Sequence, residues 1–388
     1  MRLAPLAVLL CAAFLALAGP AAAQTFNVTT TDDDVGSCDP GDCSVREAFA
    51  AADASAEADT VNIPAGHYVL TQGQLEIDEI NDTLTVNGAG ARNTILDANG
   101  QSRVLFIDDG LVTMSRLTFT GGNSDQGAGI FENDEQLTLD HVAVVGNTAA
   151  TPANDPSFGG QGGGIFANEP VTMTNSVVSG NIADGAGASF SGGQGGGIFA
   201  NEPVDLTNVT IANNQAKAAP PGATFPHSQG GGIFVNEVST LKNVTLAGNQ
   251  ASGDDAGAGL FVNDNLTIQN SLVAGNTTDG VQNNCINNEE TITGDHNLEG
   301  GTDCGFTATG DIQNADPLLG ALADNGGETD TEALLSGSPA IDHADGASCP
   351  ATDQRDLPRP QFAGCDMGAF EVQPTAAAPP APVATADT

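Results

Sequence analysis

Between residues 126 and 276 the chain repeats one alternation of apolar and polar positions five times. The segments QGAGIFEND, QGGGIFANE, QGGGIFANE, QGGGIFVNE and AGAGLFVND set Ile130, Ile165, Ile198, Ile233 and Leu260 in one column, at intervals of 35, 33, 35 and 27 residues. Each is followed by a second stretch, LTLDHVAVVGN, VTMTNSVVSGN, VDLTNVTIANN, STLKNVTLAGN or LTIQNSLVAGN, in which apolar residues recur at every second position. A period of two puts alternate side chains on opposite faces of an extended strand. The spacing therefore predicts two short strands after each glycine-rich one. Leu139, Met173, Leu206, Leu241 and Ile268 fall in one inward column, and Val144, Val178, Ile211, Leu246 and Val273 in another.

A unit of three short strands cannot bury its apolar face alone, whereas coils stacked about 4.8 Å apart bury like on like in a continuous core. The expected fold is an all-β, right-handed parallel β-helix. Length variation is confined to one insert per repeat, such as TAATPANDPSF or QAKAAPPGATFPHS, which marks a loop on one side of the solenoid. Less regular segments upstream (DTVNIPAGHYVL, LTVNGAGARNTILDANG and LVTMSRLTFTGGN) extend the stack to about eight to ten coils and about 40 to 50 Å. Adjacent Ile and Phe must face opposite ways, so Phe131, Phe166, Phe199, Phe234 and Phe261 form an outward ridge. A bend that turns both inward, or a cover from Phe158, Phe190 and Phe225 of the inserts, would hide it; otherwise it is an exposed apolar strip.

Polar residues recur in register too. Arg116, His141, Asn175, Asn208, Asn243 and Asn270 share one position between strands. Asparagine there suits a bend and can bond the coil above, so Asn175, Asn208, Asn243 and Asn270 are expected to form an amide ladder. At the chain entrance Ser44-Val45-Arg46-Glu47 is a capping box, predicting a helix from Ser44 to about Asp53 that covers the open first coil.

Composition narrows the functional classes. Aspartate and glutamate outnumber lysine and arginine 49 to 9, a formal charge of −40, which repels nucleic acid and anionic membranes. With 49 Gly and 20 Pro a helix bundle is excluded, and with no Trp and one Tyr the usual sugar-stacking platforms are few. Arg2, an apolar stretch over residues 3–17 and Ala21-Ala22-Ala23 read as an export signal ending at residue 23, which Cys11 would leave with. No later run is long and apolar enough to span a bilayer. Six cysteines then remain as neighbours in sequence, and an exported chain favours disulfides: Cys38 with Cys43, Cys285 with Cys304 and Cys349 with Cys365 are expected among fifteen possible pairings.

These residues carry a family likeness. CDPGDCSVREAF resembles the N-terminal CSLREA-type segment of exported bacterial β-helix proteins, with Val45 in place of leucine. SGNIA, a loop and GGGIFAN resemble the repeats of chlamydial polymorphic outer membrane proteins, whose F-x-x-N element is only approximated. DPLLGALADNGGETDTEALLSGSPAID through TDQRDLPRP to CDMGAFE, within Asp316 to Glu371, resembles a choice-of-anchor Q domain. The resemblance implies a pectin-lyase-like solenoid, secreted or displayed at a bacterial cell surface, with no activity established for the class. The organisation expected is a signal over 1–23, a cap over 24–56, coils over 57–310, a C-terminal domain over 311–371 and a Pro/Ala/Thr tail over 372–388.

Candidate chemistry is sparse. The DH pair Asp140-His141 bears a faint likeness to pectate lyases, yet His141 occupies the asparagine column, and His296 in GDHN is as weak. The basic residues needed to neutralise a uronate are nearly missing from the central coils, where Lys217 and Lys242 stand. Asp134, Glu169, Glu202, Glu237 and Asp264 form a carboxylate column that stacking alone produces; with Asn133, Asn168, Asn201, Asn236 and Asn263 beside it, the column is a candidate calcium site. The glycine runs lack the Lys-Ser/Thr of a phosphate loop and the aspartate of a calcium-binding nonapeptide. The leading expectation is a non-catalytic, monomeric, adhesin-like or envelope β-helix with surface glycans or envelope components as partners. The rivals are a polysaccharide lyase or glycoside hydrolase, and a calcium-dependent glycan-binding module.

Overall fold

The computed structural model describes residues 23–374 apart from 56, 79–82, 152–155, 254–255 and 289–290. The expected export signal over 1–23, save its last residue, and the expected tail over 372–388 from residue 375 onward lie outside the described residues. The inward columns build a right-handed parallel β-helix whose strands form four sheets of ten, nine, eight and seven strands. Ile130 pairs with Ile165, Ile165 with Ile198, Ile198 with Ile233 and Ile233 with Leu260. Leu139, Met173, Leu206, Leu241 and Ile268 pair in the same way. Both columns are buried in one continuous apolar core. Ten strands in the longest sheet span about 43 Å along the axis.

A regular coil contains four strands rather than three, as in Ile165–Ala167, Val171–Thr174, Val177–Ser179 and Ile182–Asp184. The additional strand takes in the start of what the sequence marks as insert: Thr148–Ala150 and Gln215–Lys217 pair in parallel with Ile182–Asp184. It turns one small residue inward per coil, Ala149, Ala183, Ala216 and Ala251. A three-residue strand with a single alanine inside carries no visible alternation.

The helix Val45–Asp53 has Ser44 as its N-cap, with both halves of the capping box formed. Its Val45, Ala48, Phe49 and Ala52 join the main core, so the first coil is closed by apolar packing. Arg46 fastens it, donating to Asp33 at 2.8 Å and to the carbonyls of Gln74 and Gly73. The disulfides are Cys38–Cys43, Cys285–Cys304 and Cys349–Cys365.

The Ile-Phe pairs do face opposite ways. Phe166, Phe199, Phe234 and Phe261 form a separate cluster outside the main core. Their rings lie nearly parallel, with centroids 5.1, 4.8 and 5.1 Å apart, and are buried. The Arg103 guanidinium sits 4.9 Å from the Phe131 ring at the start of this stack. The insert rings of Phe158, Phe190 and Phe225 do not belong to it and stand exposed.

Candidate functional site

Left-handed residues recur at fixed corners of each regular coil, and two of these corners carry asparagine. At the first, Arg116, His141, Asn175, Asn208, Asn243 and Asn270 have φ between 50 and 62°. At the second, Gly146, Gly180, Asn213, Gly248 and Gly275 have φ between 58 and 68° and are each followed by an asparagine. The two corners use asparagine differently. At the first, the side chains mostly serve residues 311–374, which run back along the solenoid. Asn208 donates to the Thr352 carbonyl at 2.9 Å, and Asn270 to the Asp345 carbonyl at 3.2 Å. Asn243 lies 3.4 Å from the carbonyls of Asp366 and Gly368. Among the described residues of this column, only Asn208 reaches a neighbouring asparagine, its Nδ2 donating to Asn175 Oδ1 at 3.2 Å.

The amide ladder expected at Asn175, Asn208, Asn243 and Asn270 thus stands six residues further along each repeat. Asn147, Asn181, Asn214, Asn249 and Asn276 are fully buried, and each Nδ2 donates to the Oδ1 of the next coil's asparagine. Each also donates to a carbonyl of the preceding coil, as Asn214 does to Val178 at 2.9 Å. The reason is local: where the asparagine itself is left-handed its side chain faces the returning segment, and where Gly or Asn213 takes that conformation the following asparagine is turned inward.

The DH pair meets the returning segment. His141 Nδ1 is 2.8 Å from Asp140 and Nε2 is 2.9 Å from Asp356. The bond to Asp140 holds the imidazole above its ordinary value despite burial. Burial works to raise the Asp140 carboxyl, but bonds from His141 and Thr174 hold it below the usual range. With both ring nitrogens engaged, His141 joins coil to segment. His296 pairs with its neighbour Asp295 at 3.2 Å.

The carboxylate column runs along the surface. Asp134, Glu169, Glu202, Glu237 and Asp264 are exposed or half-buried, and among the described residues no three His, Cys, Asp or Glu side chains are grouped to hold an ion. The amides beside them bond one another instead: Asn168 to Asn133, Asn201 to Asn168, Asn236 to Asn201 and Asn263 to Asn236, at 2.7 to 3.0 Å. Their oxygens already accept an amide proton each, which competes with cation binding.

An acid occupies one of the inward columns. Glu132 faces inward where neighbouring coils carry Ile107 and Ala167, with Oε2 accepting from the Glu169 N–H at 2.9 Å and Oε1 without a partner. Burial pushes its carboxyl up to about 8, and the like charges of Glu169 and Asp134 add to this. Its signal in sequence is an acid in a column of Ala167, Ala200, Val235 and Val262. Below about pH 4.5 Glu132 is protonated in folded and unfolded chains alike and adds no pH dependence. Between about 4.5 and about 8 only the unfolded chain ionises, so stability falls by about 1.4 kcal/mol per pH unit, and above about 8 the loss is complete. Glu132→Gln keeps the shape and should remove this slope. Denaturant unfolding of both proteins at pH 5 and pH 8 checks it: the variant should gain a few kcal/mol on the parent at pH 8 relative to pH 5.

On the insert side lies an open groove of about 340 Å³. Its walls include Phe158, Phe190 and Phe225, whose rings meet edge to face at 5.3 and 5.1 Å. Its floor includes Gln161, Gln194 and Gln229, joined by side-chain amide bonds of 2.8 and 2.7 Å. The inserts differ in length yet align because Phe190 N–H bonds the Ser157 carbonyl and Phe225 N–H the Phe190 carbonyl. Among the described residues, neither carboxylate nor Lys nor Arg lines this groove.

No protein-family model matches the sequence, and no curated protein matches it as a relative. Among solved structures, the chain is similar to pectin methylesterase PemA from Erwinia chrysanthemi at 8% identity and a TM-score of 0.41, over 75% of this chain and 92% of that one. Pectate lyase Pel9A is similar at 15% identity and a TM-score of 0.40, over 91% and 97%. The pectin methylesterase from Aspergillus niger is similar at 12% identity and a TM-score of 0.41, over 75% and 89%.

Proposed function

We propose that this chain is a non-catalytic, secreted or surface-displayed β-helix with an adhesin-like or envelope role. The observation that carries the reading is the groove: among the described residues its lining includes no carboxylate pair, no Lys and no Arg, the groups that proton transfer or uronate neutralisation would need. The DH pair supports the same reading, because both nitrogens of His141 are occupied by carboxylates. The N-terminal likeness to CSLREA-type segments and the likeness of residues 316–371 to a choice-of-anchor domain support export and display on a bacterial envelope.

The rival is a pectin-lyase-like enzyme acting on polysaccharide. Acidic polysaccharides and neutral glycans incubated with the mature protein, with and without calcium, separate the two. The expected result is neither ultraviolet-absorbing unsaturated uronides nor new reducing ends. Release of either, abolished in His141→Ala, would establish the enzyme instead.

A further inference from the structure

We propose that the insert-side groove binds an uncharged, extended, β-linked polysaccharide strand; this deepens the non-catalytic reading above and rests on it. Three observations converge on that ligand. The first is chemical. In a chain of net charge −40 this groove is lined by aromatic rings, amides, a hydroxyl and an imidazole. A polyanion would meet the surrounding negative field with no cation in the groove to offset it, whereas an uncharged sugar meets neither penalty.

The second is an unused hydrogen-bonding capacity. Gln161 and Gln194 each spend one N–H on the next amide of the ladder and accept one bond at Oε1. A second N–H and a second lone pair on each amide are left for hydroxyl groups, which both donate and accept. Ser191 Oγ, beside them in the groove, is buried and has no hydrogen-bond partner among the described residues. Such a group calls for a ligand or a water to satisfy it.

The third is shape. Phe158, Phe190 and Phe225 are 49%, 39% and 58% exposed as residues, where an isolated apolar cover would pack down. They recur once per coil along the axis, and one coil is about 4.8 Å, comparable to one pyranose of an extended chain. Ring faces receive the C–H faces of sugars while the amide floor reads the hydroxyl edges. An extended peptide is less suited. Peptides add to sheets through free strand edges, and here the backbone is already paired coil to coil, Ser191 with Phe225 and Gln194 with both Gln161 and Gln229.

The test uses the mature full chain, with cellohexaose as the neutral probe, hexagalacturonate as the charged one and a proline-rich peptide as the polypeptide one. Calorimetry should detect cellohexaose binding. Phe190→Ala should weaken it about tenfold, the size of one lost aromatic contact, and Phe190→Tyr should restore it. Circular dichroism of Phe190→Ala should match the parent, since the residue is exposed. Absence of cellohexaose binding, binding indifferent to Phe190→Ala, tighter binding of hexagalacturonate, or binding of the peptide in its place would each overturn the assignment. Chromatography of the recovered hexasaccharide keeps the two readings apart. Cleaved sugar would defeat the non-catalytic reading while leaving the groove's ligand in place, and intact unbound sugar would do the reverse.

Discussion

Asn214→Ala is expected to destabilise the solenoid by about 3 to 6 kcal/mol, out of proportion to the few atoms removed. Asn214 Oδ1 accepts from both the backbone N–H and the side chain of Asn181, and its Nδ2 donates to Asn249 Oδ1 and the Val178 carbonyl. Alanine orphans the Asn181 backbone N–H and one Asn181 side-chain N–H in a fully buried corner, each at about 1 to 3 kcal/mol, and takes from the Val178 carbonyl a bond of about 1 kcal/mol, while Asn181 keeps its bond to the Val144 carbonyl. Asn249 keeps the bond from the Asn214 backbone N–H. The control is Asn201→Ala in the outer amide column. Asn201 is half-buried with similar bonds of 2.7 and 2.9 Å, but water can replace them, so the cost should stay within about 1 kcal/mol. Guanidinium unfolding midpoints of the two variants decide the matter. Equal shifts would mean that the inner ladder has no special weight.

The second large effect belongs to the returning segment. Asp353 is fully buried and accepts from Arg355 through Nε at 2.9 Å and Nη2 at 2.6 Å, and from the backbone N–H groups of Arg355, Leu357 and Glu371. Arg355 also lies over the Phe370 ring, 3.6 Å from its centroid, and donates to the Glu371 carbonyl. Asp353→Ala strips a buried guanidinium of its counter-charge, a loss of about 3 to 5 kcal/mol, and unpairs three amides besides. The effect should be local. Leu334, Ala340, Met367 and Phe370 pack on Leu272 and Leu298 in a cluster distinct from the main core. Limited proteolysis should therefore cut the variant within residues 316–371 and leave a protected solenoid. Asp353→Asn, which keeps an acceptor but not the charge, should fall between the two. A variant as resistant as the parent would show that the segment is held by its coil contacts alone.

Those contacts are considerable. Thr329 donates to the Asn175 carbonyl at 3.0 Å, Thr210 to Gln354 at 2.6 Å and the Gly368 N–H to the Asn270 carbonyl at 2.7 Å. Arg92 pairs with Asp330 at 2.7 Å, and His141 with Asp356 at 2.9 Å. The left-handed corner column is thereby converted from a solvent edge into a seam. The partners of Asn175, Asn208, Asn243 and Asn270 lie 75 to 154 residues away in sequence, beyond the reach of any repeat pattern.

The insert-side groove was half legible. Phe158, Phe190 and Phe225 stand out in the inserts as aromatic residues in a chain poor in them. Their obvious use was to cover the Phe166 ridge, but stacked rings about 5 Å apart already bury one another, which leaves the insert rings free to form a second array. Nothing in the order of residues distinguishes a ring that covers from a ring that stays exposed.

The order of residues alone determined the parallel coil, its inward columns and its capping helix. Each follows from a rule within one repeat or between neighbours: alternation with period two, like stacked on like, and Ser44 with Glu47 at a helix start. Tertiary structure alone decided which of two asparagine columns became the buried ladder, that Glu132 is trapped in the core and that the groove lies open on the insert side. The physical reason is that a repeat sets what side chains sit above one another, whereas the direction each corner turns them, and what then lies against them, depends on the whole coil and on a segment that returns from the far end of the chain.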